Sequence, residues 1–152
     1  MYSRYEKFAT VIPALYRCMQ RIERDEMVKY GYKGAYAQYL AAIARYPEGV
    51  TATQLCEICE KDKAAVSRVL AEMIQCGLVE REDMRNYRAR LFLTPEGQRL
   101  ANVVRDRATA AVHAVDQGLS SADRETFYSV LKLISDNLYR IGREGIPENR
   151  EP

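Results

Sequence analysis

Residues 51–97 read TATQLCEICE KDKAAVSRVL AEMIQCGLVE REDMRNYRAR LFLTPEG, and the order of local signals along them decides the fold. Thr51-Ala52-Thr53-Gln54 is a capping box: the threonine hydroxyl can accept an orphan amide at a helix start, and the glutamine side chain answers it three residues later. The short helix it opens carries Leu55, Cys56, Ile58 and Cys59 inward. After Glu60-Lys61, Asp62 is a good N-cap for a second helix with an apolar face of Val66, Leu70, Met73 and Ile74, ended by Gly77. A turn this brief makes the two helices cross steeply. Leu78-Val79-Glu80-Arg81 and Arg90-Leu91-Phe92-Leu93 then read as short strands, joined by the polar, basic tip Asp83-Met84-Arg85-Asn86-Tyr87-Arg88. Thr94 caps the helix that follows.

Helix, turn, helix, basic hairpin and helix start are the layout of a winged helix-turn-helix. The expected fold is therefore mainly α with a small β-hairpin wing (α+β), and residues 35–97 form a DNA-binding lobe. Before it, Phe8, Ile12, Leu15, Met19 and Ile22 recur at steps of four and three on one face of a first helix. Pro13 would break a helix interior, so either Thr10 caps a helix whose first turn holds the proline, or the helix kinks there. Residues 30–34 read as a loop, and a second helix runs from about Ala35 to Arg45, ahead of Pro47 and Gly49.

Beyond the wing, Leu100, Val104, Ala108, Ala111 and Val115 line one side of a helix reaching about Gln117, where Gly118 ends it. Ser120 or Ser121 caps a last helix with Phe127, Leu131, Ile134, Leu138 and Ile141 at the same spacing. These stripes exceed what a self-sufficient small lobe needs. Residues 1–34 and 98–145 are accordingly predicted to form a helical region that buries itself against a second subunit, with 146–152 a frayed tail.

A length of 152 residues holds one compact lobe with dimer-forming extensions but not two unrelated enzyme domains. Net charge is only +2, so any nucleic-acid role must come from clustering of the cations. The absence of a long apolar run or a secretion-type start argues against a membrane and makes the cytoplasm the expected location. Clustered carboxylates, a nucleophile with an adjacent base and a glycine-rich phosphate loop are lacking, so no enzyme and no cofactor are expected.

The run Asp62-Lys63-Ala64-Ala65-Val66-Ser67-Arg68-Val69-Leu70, then Gly77-Leu78-Val79 and Leu93-Thr94-Pro95-Glu96-Gly97, resembles the MarR family of winged-helix regulators. The resemblance implies a homodimer whose first and last helices interlock, with paired helices entering successive major grooves of double-stranded DNA and wings touching the flanking minor grooves. It implies a sequence-specific, ligand-responsive repressor acting on a palindromic operator. On that alignment the DNA-contacting set is Thr53, Lys61, Lys63, Ala65, Ser67 and Arg68 on the helix-turn-helix, with Arg85, Asn86, Tyr87, Arg88 and Arg90 at the wing. The physical reading agrees: cations beside a hydroxyl donor suit phosphates and base edges, and arginine suits a narrow, electronegative minor groove. The wing departs from the family's frequent Asp-Arg-Arg run, because Asp83-Met84-Arg85 is followed by Asn86-Tyr87-Arg88. Glu80, Glu82 and Asp83 at its base offset part of the positive field.

The family often answers to small aromatic ligands, and the resemblance places such an effector against Tyr16, Tyr36 and Tyr39. Ala35-Tyr36-Ala37-Gln38-Tyr39-Leu40 is similar to the tyrosine-rich segment of the family's organic-peroxide-sensing branch, although the reactive cysteine of that branch would fall near Ile12. Two other readings stand beside the ligand-responsive one: a thiol-based redox switch working through Cys18 or Cys76, and a winged-helix protein-interaction module that does not use DNA. Cys56 and Cys59 lie three apart on a helix, a Cβ separation of about 5–6 Å against the 3.5–4.5 Å or so of a relaxed disulfide. Zinc would need two more ligands, and the single histidine, His113, is remote, so no metal site is expected.

Overall fold

The computed structural model describes residues 3–83, 85–86 and 88–147 and contains, among them, six helices and a two-stranded antiparallel sheet. The order is α1 (Arg4–Lys29), α2 (Tyr36–Ala44), α3 (Ala52–Cys59), α4 (Lys63–Gln75), β1 (Val79–Arg81), β2 (Leu91–Leu93), α5 (Pro95–Val115) and α6 (Ser121–Glu144). The mainly α class with a hairpin wing is what the sequence predicts. Two compact units divide the chain, residues 1–111 and 112–152.

The first helix starts earlier than the proline suggested. Ser3 is its N-cap, accepting from the Glu6 amide at 3.1 Å while the Glu6 carboxylate takes the Ser3 amide at 2.6 Å, and the helix runs unbroken through Pro13. Thr10 is thus a helix-interior residue whose hydroxyl donates back to the Glu6 carbonyl. Pro13 removes one backbone donor, a loss the rest of a 26-residue helix tolerates.

Inside the first unit, α1 packs on α2, α2 on α3 and β2, α3 on α4, and α4 on β1. Met27, Leu40, Ile43, Leu55, Leu70, Met73, Leu78, Leu91 and Leu100 are fully buried there. Val79 pairs with Leu93 and Arg81 with Leu91. Leu91 also exchanges both backbone bonds with Val50, at 2.8 and 3.1 Å, so the residue before the N-cap of α3 is stitched to the hairpin. Gly97 is dictated by proximity: a Cβ there would lie 2.0 Å from the Leu78 carbonyl oxygen, so only glycine lets α5 start directly against β1. Thr94 joins the same corner, donating to the Gly77 carbonyl at 2.6 Å and capping the Gly97 amide at 3.1 Å.

The second unit holds the end of α5 and all of α6. Ser120 caps α6 through the Asp123 amide at 3.1 Å, and no residue of α6 is buried. Ile146 and Pro147 are exposed; the rest of the predicted tail, 148–152, lies outside the described residues.

Candidate nucleic-acid interface

Three local devices position the helix-turn-helix. The capping box forms as the sequence predicts: Thr51 Oγ1 accepts from the Gln54 amide at 3.2 Å, and Gln54 Oε1 takes the Thr51 amide at 2.9 Å. At the other end of α3, Glu60 adopts a left-handed backbone (φ 52°), and the Lys61 amide reaches back to the Cys56 carbonyl at 3.0 Å. Asp62 then opens α4, its carboxylate accepting the Ala65 amide at 2.9 Å. That bond is the main reason its carboxyl sits below the ordinary aspartate value. Gly77 ends α4 with a left-handed residue (φ 71°), the Leu78 amide bonding the Met73 carbonyl at 2.9 Å and the Gly77 amide the Ile74 carbonyl at 3.0 Å.

This geometry fixes what faces outward. Thr53, Lys61, Lys63 and Arg68 are exposed on α3, the turn and α4, while Ala65 and Ser67 are half-buried between them. Val66, Leu70 and Met73 occupy the opposite face of α4 and anchor it in the core. The helix therefore presents Lys63 and Arg68 to solvent while its buried apolar stripe fixes its rotation.

At the wing, Arg85, Asn86, Arg88 and Arg90 are exposed. Asp83 Oδ1 accepts the Arg85 amide and Asn86 Oδ1 accepts the Arg88 amide, both at 2.9 Å, so two side-chain turns shape the tip. The Glu82 amide bonds the Arg90 carbonyl at 2.9 Å and closes the base. Asp83 thus has a shaping role in addition to its charge. Arg90 differs from its neighbours, because its guanidinium donates to the Glu48 carbonyl at 2.6 Å and clips the wing base to the loop ahead of Val50. Tyr87 lies outside the described residues.

The three tyrosines assigned to a ligand occupy different surroundings. Tyr16 is exposed on α1, 58% accessible. Tyr36 is buried, and its hydroxyl donates to Glu72 on α4 at 3.0 Å; burial first, and that bond second, push its ionisation far up. Tyr39 is buried as well, and it lines a cleft of about 430 Å³ together with Gln20, Glu23 and Arg24 of α1, Gln38 of α2, and Lys61, Ala65 and Val69 at the turn and on α4. Desolvation pushes the Glu23 carboxyl up, with Arg45 opposing it. The polar part of this lining was not found by sequence reading, since residues brought together from α1, α2 and α4 share no spacing along the chain. Gln38 additionally donates to the Cys59 carbonyl at 3.1 Å, tying α2 to the end of α3.

All four cysteines are free: Cys59 is buried, Cys56 half-buried, Cys18 and Cys76 exposed. No cluster of three or more metal-ligating side chains occurs among the described residues. Among them, too, no helix is long and apolar enough to cross a membrane.

A helix-turn-helix with an exposed cationic face, followed by a two-stranded hairpin with an arginine-bearing tip, defines a winged-helix protein. Residues 30–86 match the model of the MarR family. No curated protein sequence matches the chain. Among solved structures, a MarR transcriptional regulator from Methanosarcina mazei is 20% identical, with 93% of this chain and 94% of that chain covered and a TM-score of 0.78. A MarR family structure from Listeria monocytogenes, solved with a 26mer DNA, is 19% identical over 98% of this chain and 99% of that one, with a TM-score of 0.69. The S. aureus MepR–DNA complex is 15% identical over 90% and 99%, with a TM-score of 0.68. Residues 30–86 are thus similar to the MarR family, and the chain as a whole shares the fold of these solved winged-helix structures.

Proposed function

We propose that this protein is a MarR-type transcription regulator that binds double-stranded DNA as a homodimer and represses transcription from a palindromic operator until a small ligand releases it. The observation that carries the reading is the outward set on one unit: Lys61 in the turn, Lys63 and Arg68 on α4, and Arg85 and Arg88 on the wing, all exposed. The α4 residues enter the major groove, with Thr53, Ala65 and Ser67 beside them, and the wing, including Asn86, Tyr87 and Arg90, follows the minor groove. The similarity to proteins solved with DNA supports the same reading.

Dimerisation is supported by apolar surface that one subunit leaves in water. On α1, Tyr5, Phe8, Val11, Ile12 and Leu15 are exposed, and on α6, Phe127, Leu131, Leu133 and Leu138. A twofold pair presents two α4 helices about one helical turn of DNA apart, which is why the operator is palindromic. The effector enters the cleft that Tyr39 lines. Lys61 and Ala65 belong both to that lining and to the DNA-facing set, so a small aromatic ligand seated there competes with DNA for the same corner. A thiol switch is the second reading, favoured by the exposure of Cys76 at the end of α4.

The test is fluorescence anisotropy on fragments selected from the host genome. Arg68→Ala and Arg85→Ala should each weaken binding by about tenfold and reduce the steepness of its salt dependence, with the dimer intact. Unchanged affinity in both variants would remove these arginines from the interface, and dimers lacking any salt-dependent DNA retention would favour a protein-interaction module instead. Peroxide treatment that abolishes binding, reversed by thiol, would move the switch from ligand to cysteine.

A further inference from the structure

Glu72 stands on α4 one helical turn beyond Arg68, and two groups from outside α4 hold its carboxylate. Lys33, in the loop ahead of α2, places its ammonium 2.9 Å from Oε2. Tyr36, at the start of α2, donates its hydroxyl to the same oxygen at 3.0 Å. The tyrosine is only 3% exposed, so packing fixes where its donor points.

Residues four apart on a helix are surface neighbours, and an arginine and a glutamate so placed attract each other. Arg68 nevertheless forms no ion pair among the described residues and remains exposed. Its field does reach Glu72: the bonds from Lys33 and Tyr36 do most to hold that carboxyl below its ordinary value, and Arg68 adds to them. The carboxylate is turned toward the loop and α2 instead of along α4. A guanidinium drawn into a pair within its own helix is withdrawn from a phosphate or a base edge.

We propose that Lys33 and Tyr36 are positioning residues for DNA binding: by engaging the Glu72 carboxylate from outside α4, they keep the Arg68 guanidinium available to DNA. The inference rests on the contact assigned to Arg68 above. It gives a role to a link between side chains 39 positions apart in the chain.

The experiment measures affinity and salt dependence for Lys33→Met, Tyr36→Phe and the double variant, each with and without Glu72→Gln, on the same DNA as Arg68→Ala. The double variant should bind up to about twofold more weakly with a shallower salt slope, because Glu72 now competes for Arg68. Adding Glu72→Gln should restore wild-type affinity, since an amide carries no charge to hold the arginine. Loss of affinity that Glu72→Gln does not restore would mean that Lys33 or Tyr36 acts structurally or touches DNA directly, and would overturn the proposal. So would wild-type binding in the double variant when Arg68→Ala binds poorly. An Arg68→Ala protein that binds normally would instead refute the contact on which the inference rests. Lys33 is solvent-facing, so Lys33→Met with its Glu72→Gln rescue decides the matter even if Tyr36→Phe lowers the melting temperature.

Discussion

The helix-turn-helix lobe and α6 both carry apolar stripes at helical spacing and use them in opposite ways. In the lobe, α2, α3 and α4 bury Leu40, Ile43, Leu55, Leu70 and Met73 to 2% exposure or less. In α6, a 24-residue helix with a well-formed cap leaves no residue buried, and Leu133, Leu138 and Tyr139 stay more than half exposed. Leucines recurring at three and four are equally apolar in both places, so pattern alone does not say whether a stripe is satisfied within one subunit. The difference separates a part of the chain whose apolar stripe is buried from a part whose stripe stays exposed, the part that the proposed dimer would cover.

The comparison breaks most visibly if α6 is given a charge. Leu131→Asp with Leu138→Asp should abolish the dimer at micromolar concentration, because each half-exposed leucine would add about 1 kcal/mol on association, a twofold interface loses both copies of each, and each aspartate would have to bury a charge. High-affinity operator binding should go with it. Sedimentation equilibrium is the check, and an unaltered dimer would show that α6 is not the interface.

A smaller effect sharpens the same contrast. Leu70→Ala should lower stability by about 2–5 kcal/mol, since Leu70 is 1% exposed and leaves a cavity in a closed core. Leu133→Ala, at a site 60% exposed in one subunit, should cost little at high dilution and more as protein concentration rises, because its partner atoms arrive only on association. Thermal unfolding over a hundredfold range of concentration distinguishes the two; a concentration-independent loss for both would place Leu133 in an intramolecular core.

What the sequence disclosed follows the reach of each interaction. Thr51 with Gln54, Asp62, Gly77 and Thr94 were all legible because a cap acts within three or four residues. The same local signal stands at Ser3 and Glu6, a capping box seven residues upstream of Thr10, in competition with the helix-breaking signal of Pro13. The Lys33–Glu72 link, the Arg90 clip onto Glu48 and the cleft lining join residues tens of positions apart with no period, so nothing in the chain's spacing announces them. Candidate contact residues were identifiable by type and element, but Arg90 shows that a wing cation can also serve the scaffold. Tyr36, grouped by type with Tyr16 and Tyr39, turns out to be a buried donor to α4.

The smallest expected effect distinguishes how the two regions start their helices. α6 is capped by the neutral Ser120 hydroxyl, whereas α4 is capped by the Asp62 carboxylate, which the Ala65 amide and, more weakly, the Arg68 field hold below the ordinary value of 3.8. A carboxyl whose folded value lies below its unfolded one stabilises fully above the unfolded value, and that contribution is lost as pH falls through the lowered folded value. Acid should therefore loosen the first turn of α4 before the first turn of α6, visible as faster amide exchange at Ala65 than at Asp123. An asparagine in place of the aspartate keeps the acceptor and removes the charge, so Asp62→Asn should match the wild type near neutrality. Below pH 3.8 the variant should melt at the higher temperature of the two, because only the wild type has a cap to lose. Superimposable acid limbs for the two proteins would mean that the Asp62 charge contributes nothing to holding α4 in place.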